Sequence, residues 1–162
     1  EGGISTPFIA HWPRGITPRS GWYGEPATLI DLAPTLYELA GATYPEEFNG
    51  RPIPPLPGKS LTPAFAGRSL ARGEPLFFEH EDNAAVLDGK WKLVGSKVSV
   101  PGEVDATKWE LYDLEADRTE TNDLIGKHRK VADKLAQRWA DWAEGVGVYP
   151  KPATRNVPSD HN

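Results

Sequence analysis

Apolar positions along the chain fall into a few short patterns separated by turn-forming residues. Pro7 to Trp12 is an apolar run closed by Pro13, Gly15 and Pro18, the way a buried strand followed by a turn is written. Residues 23–27 read as a connector. From Thr28 onward, Leu29, Leu32, Ala33, Leu36, Leu39 and Ala40 follow the i, i+3, i+4, i+7 spacing of an apolar helical face, and Gly41 stands where a left-handed C-terminal stop belongs. Pro34 fits this helix if Asp31 caps it, because first-turn amides have no intrahelical acceptor; with Thr28 as the cap, Pro34 makes a kink. Prolines at 45, 52, 54, 55 and 57 deny regular structure between Tyr44 and Gly58. Leu61 to Phe65 has room for one helical turn.

The second half of the chain changes period. Leu76–Glu79, Ala84–Leu87 and Trp91–Val94 read as strands, and Asp88-Gly89-Lys90 joins the last two as a hairpin with positive φ at Gly89. Trp109 to Leu114 alternates with period two and adds a fourth strand, which predicts a small antiparallel sheet. In a helix from about Lys130 to Glu144, Val131, Leu135, Trp139, Trp142 and Val146 step by four, four, three and four. That face is predicted to pack on the sheet, with Asp133, Lys134, Arg138 and Asp141 elsewhere. Beyond Pro150 little is apolar, so a loose or draped tail is expected.

Composition narrows the function classes. The 162 residues, 38% hydrophobic, suit one domain or a piece of a larger protein, and the 16 glycines and 16 prolines imply much turn and loop. A net charge of −5 argues against nucleic acid or an anionic membrane as the main partner. The absence of cysteine removes a disulfide framework, a thiolate zinc site and a cysteine nucleophile, and leaves the compartment open. No run approaches the ~18 apolar residues of a membrane span. With no methionine and a start at Glu1-Gly2-Gly3, a fragment of a longer protein is expected.

Common catalytic motifs are absent: there is no GxSxG elbow, phosphate-binding GKS/T loop, HExxH or EF-hand loop. Of His11, His80, His128 and His161, no two share a spacing suited to a metal on one element. The densest polar cluster is Glu79-His80-Glu81-Asp82-Asn83, at a strand end just before a hairpin. It is either a solvated turn, the reading composition favours, or a binding site; a hard-cation site from Glu79, Glu81 and Asp82 is the weaker alternative. Trp91 and Trp109 either present aromatic faces to a sugar or aryl group or fill the core, and their size favours the core. Gly2 and Gly3 admit a bend or a close ligand approach. Residues 127–130 read as a solvated helix start.

Taken in order, EGGISTPFIAHWPRGI, DLAPTLYELAG, GKSLTPAFAG, LFFEHEDNAAVLDGKWKLV and WELYDLEADRTETNDL resemble the C-terminal third of a type I sulfatase of the arylsulfatase group, from residue 1 to about 149. The resemblance implies an α/β, alkaline-phosphatase-like fold. Residues 1–70 would be the end of the large catalytic domain, 71–149 a small α+β subdomain with a four-stranded antiparallel sheet and a C-terminal helix, and 150–162 an extended tail. It also implies hydrolysis of aryl or sugar sulfates by a formylglycine, made from a C/S-x-P-x-R motif, beside a divalent cation, usually calcium.

No catalytic residue is assigned to this chain, because Ser5-Thr6-Pro7-Phe8-Ile9 lacks the motif's arginine and no cysteine is present. The metal ligands and the sulfate-binding lysine are expected upstream. The chain alone is therefore expected to bind no calcium and to be inactive, its partners being the N-terminal catalytic portion of the same protein and a small-molecule sulfate ester. The resemblance puts EHEDN at the pocket rim. His80, Glu79 and Asn83 are the candidate substrate-binding residues, with His80 nearest the chemistry and Glu79 and Glu81 flanking its ring. Two alternatives stand: a phosphonate or phosphate monoester hydrolase of the same superfamily, and a non-catalytic carbohydrate- or protein-binding module.

Overall fold

A computed structural model of the chain describes residues 4–17, 21–98 and 108–148. Gly2, Gly3 and the tail from 150 lie outside the described residues. The chain divides into two compact units, Glu1–Ile4 with Glu74–Asn162, and Ser5–Gly73.

The first of these is built on an antiparallel meander, β3 (Leu76–His80), β4 (Asn83–Asp88), β5 (Trp91–Gly95) and β6 (Trp109–Asp113), in that spatial order. Gly89, at φ +58°, makes the β4–β5 turn. Register aligns Phe77, Val86, Leu93 and Leu111 across the four strands and, one step along, Ala84, Gly95 and Trp109. Alternation puts these residues on one face.

The helix α3 (Arg129–Gly145) contributes Ala132, Leu135, Ala136, Trp139 and Ala143 to the same core. Trp139 meets Trp109 edge-on, ring centroids 6.3 Å apart, and its Nε1–H donates to the Phe78 carbonyl at 2.9 Å. The predicted face needs correcting at its ends: Val146 lies past the helix and is 58% exposed, while alanines form much of the buried seam. Small residues let the helix sit close to the sheet, which a count of large apolar residues does not register. Close packing also fixes Gly95, where an added Cβ would lie 2.5 Å from Val98 Cγ2 and 2.8 Å from the Trp109 ring. Gly95→Ala is expected to cost about 1–3 kcal/mol through overpacking, read from urea unfolding; an unchanged midpoint would mean the core yields there.

On the opposite face Lys92 is buried and pairs with Glu120. At the sheet's end Lys90 Nζ donates to Asp113 Oδ2 at 2.6 Å, and that bond holds the Asp113 carboxyl below the ordinary range for aspartate.

In the unit Ser5–Gly73, a single 3₁₀ turn (Leu29–Asp31) leads into α1 (Leu32–Ala40). Asp31 caps α1, so Pro34 falls in the first turn and no kink is needed. Gly41 ends the helix at φ +63°, its N–H donating to the Glu38 carbonyl. Asp31 is fully buried and accepts the Thr28 N–H at 2.8 Å, the Lys59 N–H at 2.7 Å and the Arg72 guanidinium. Thr35 extends the network, donating to the Asp31 carbonyl and accepting from the Leu61 N–H. Gly58, at φ +90°, approaches Ile30 so closely that a Cβ would sit 2.4 Å from its carbonyl oxygen.

Two expectations fail in this unit. Pro7 to Trp12 forms no strand, and Phe8 and Ile9 are 58% and 88% exposed. A strand needs a ladder, and the sheet within Ser5–Gly73 is a two-stranded ribbon far along the chain. That ribbon is the second correction: β1 (Glu47–Phe48) and β2 (Arg51–Pro52) pair within the proline-rich stretch read as irregular. Asn49-Gly50, at φ +53° and +72°, supplies the two left-handed turn residues a tight hairpin requires. The predicted turn near 61–65 is α2 (Thr62–Phe65). The apolar stripe that runs from the 3₁₀ turn into α1 is largely uncovered, with Leu29, Leu36 and Leu39 exposed.

Candidate functional site

The hairpin between β3 and β4 turns on Glu81 and Asp82, at φ +49° and +70°. Two successive left-handed residues suit the twist of paired strands, but neither is glycine, so side-chain crowding opposes the turn. Local bonds oppose the strain. Asn83 Nδ2 donates to the carbonyls of His80 (3.0 Å) and Glu81 (3.2 Å), and its Oδ1 accepts the Lys97 N–H at 3.3 Å. Glu79 Oε1 accepts the Asp82 N–H at 3.1 Å, and the Asp82 carbonyl accepts the Val98 N–H at 2.8 Å.

The three candidate residues are thus brought together in different states. Asn83 and Glu79 are engaged with backbone, whereas His80 ends β3 with its side chain exposed and without a hydrogen bond among the described residues. Glu79 and Glu81 do not hold its ring, and the ring does not enter the core.

Beside this turn lies a depression of about 400 Å³ whose lining includes Phe77, Glu79, His80, Asn83, Ala84 and Trp142. Phe77 and Trp142 stack, centroids 5.3 Å apart and rings inclined by 11°. Both were legible only as core positions. Their contribution to a concave surface depends on α3 bringing Trp142 against Phe77 of β3, which strand and helix periods alone do not reveal.

Other candidates separate by burial. Trp109 is 1% exposed and belongs to the core. Trp91 is half-buried, with the His128 ring 5.0 Å away and the Lys90 ammonium 4.8 Å from its centroid. Among the described residues no three His, Asp or Glu side chains gather where they could hold a metal ion.

The family model described as N-sulphoglucosamine sulphohydrolase, C-terminal, matches residues 1–144. An uncharacterized sulfatase of Schizosaccharomyces pombe is 31% identical over 179 residues, an alignment taking in 100% of this chain and 30% of the relative. Human arylsulfatase A is 37% identical over 98 residues, 57% of this chain and 18% of that protein. Among solved structures, Ps i-CgsB superposes with a TM-score of 0.62 at 25% identity, over 82% of this chain and 27% of that one. The chain thus spans less than a third of the length of these relatives. Its four-stranded antiparallel sheet and C-terminal helix are those of the mixed α/β, alkaline-phosphatase-like sulfatase fold. With the match running almost from end to end, the chain belongs to the sulfatases, in the N-sulphoglucosamine sulphohydrolase C-terminal family.

Proposed function

We propose that the chain is the C-terminal portion of an arylsulfatase that hydrolyses aryl or sugar sulfates, and that it supplies one wall of the substrate pocket. The family match over residues 1–144 carries the reading. In it, Ser5–Gly73 is the end of the large catalytic domain, and the sheet with α3 is the smaller subdomain. The exposed Phe8, Ile9, Leu29, Leu36 and Leu39 support an N-terminal catalytic portion as the partner of the former, since apolar surface of this extent is normally covered.

Sulfate ester cleavage puts negative charge on the leaving oxygen, so a nucleophile and cationic or donor groups must be preorganised around it. Calcium would supply part of that stabilisation in the whole protein; its ligands are proposed to lie outside this chain. The residues present do other work. His80, exposed and free of bonds, is the substrate-facing group; Glu79 and Asn83 fix the turn that presents it, and Phe77 with Trp142 gives an apolar surface that excludes water.

Three measurements test this. The chain alone is expected to release no nitrophenol from 4-nitrophenyl sulfate above background, with or without calcium; metal-dependent turnover would overturn the division of labour. The full-length protein is expected to prefer sulfate to phosphate or phosphonate esters, and the reverse preference would favour the phosphohydrolase alternative. In that protein His80→Ala is expected to raise KM about three- to tenfold with kcat within about twofold, the signature of lost uniform binding. Unaltered kinetics across several sulfate esters would leave His80 a turn residue only.

A further inference from the structure

Along β3 the lining of the depression changes character. It passes from His80 and Glu79 at the turn to Phe78 and Phe77, and Trp142 of α3 stacks on Phe77. The polar groups at the turn end are tied to backbone: Asn83 bonds three backbone groups, and Glu79 Oε1 accepts a fourth bond from the Asp82 N–H. Beyond them the described lining is apolar or aromatic, with Ala84 and Ala85 of β4 beside the phenylalanines. Trp142 also meets Trp139, ring centroids 6.4 Å apart, and Trp139 is 1% exposed, so the aromatic end is built outward from the core. Side chains fixed in this way lose little further freedom when a ligand arrives.

We propose, resting on the sulfatase reading above, that Trp142 is a specificity-determining residue: with Phe77 it takes the far end of an apolar, multi-ring leaving group whose ester oxygen lies beside His80. Three residues of strand separate His80 from Phe77, about 10 Å at the usual rise. A single ring held at His80 falls short of the aromatic pair, whereas two rings joined end to end reach it. The depression, about 400 Å³, is of a size that small-molecule sites commonly have. A sugar of the same length would bring hydroxyls against this lining, and each one left unpaired there costs free energy.

The test compares phenyl sulfate with 4-biphenylyl sulfate as substrates of the full-length protein, since their leaving oxygens are of similar basicity and differ in reach. Wild-type kcat/KM is expected to favour the biphenylyl ester by about tenfold, and to be lower for glucose 6-sulfate than for either. Trp142→Ala is expected to cut the biphenylyl-to-phenyl ratio to about twofold, and Trp142→Leu, which keeps apolar bulk, to leave an intermediate value. The ratio is the informative quantity, because a merely structural loss lowers both rates together. Equal wild-type rates for the two aryl esters, a preference for glucose 6-sulfate, or a ratio unmoved in a folded Trp142→Ala protein overturns the inference and leaves the sulfatase reading intact. A full-length protein that turns over no sulfate ester overturns both. Circular dichroism checks that the variants fold, and the wild-type comparison keeps the inference falsifiable if they do not.

Discussion

Trp139→Ala is expected to destabilise the sheet-and-helix unit by about 3–5 kcal/mol, the usual cost of removing a large buried aromatic. Trp139 is 1% exposed, meets Trp109 edge-on and donates its indole N–H to the Phe78 carbonyl. The truncation thus removes dispersion contacts, opens a cavity between helix and sheet, and leaves an acceptor of β3 without its donor. Asp141, two residues on, is exposed and accepts a bond from Gln137 Nε2 at 2.8 Å on the helix surface. Asp141→Ala is expected to stay within about 0.5 kcal/mol. Urea unfolding of both variants decides the matter, and equal losses would mean the wrong face of α3 has been placed on the sheet. Since α3 also carries Trp142 to the depression, a loosened Trp139 should blunt the proposed substrate wall as well.

How much of this was legible in the sequence depended on whether local pattern or distant partners decided each element. The four strands, the Gly89 turn, Asp31 as cap and Gly41 as stop are set by periods and turn chemistry within a few residues, and each is found where the pattern put it. Pro7–Trp12 has the composition of a buried strand, but a strand is completed by a neighbour that its own residues do not encode. The Asn49-Gly50 hairpin was hidden for the opposite reason: prolines on both sides mask a turn signal that is strong by itself, and a two-residue strand satisfies few amides. At the candidate site the acidic, histidine-bearing turn was visible as a cluster. What could not be read was the use of each side chain, because the bonds from Asn83 to the His80 and Glu81 carbonyls exist only once two left-handed residues have closed the hairpin.

The same limit applies to Asp31, which periodicity treats as one more polar position on a helix cap. In the structure it is the fully buried centre of a network binding residues 28, 59 and 72. Asp31→Ala is expected to cost about 3–5 kcal/mol, because it strands a buried guanidinium as well as two backbone donors. The Arg72 side chain is only 14% exposed, so water cannot readily replace the carboxylate. Asp31→Asn keeps an acceptor for the Thr28 or Lys59 N–H and should lose less, which separates hydrogen bonding from charge. Replacing both partners, Asp31→Leu with Arg72→Met, is expected to recover much of the loss, since a buried ion pair is far more costly to break than to exchange for apolar contact. A double-mutant cycle by urea unfolding measures this directly. A coupling near zero, or an Asp31→Ala loss below about 0.5 kcal/mol, would mean that Gly58 and the loop around Lys59 are held to α1 by packing alone; a large coupling would mean that one carboxylate orders three segments the sequence keeps far apart.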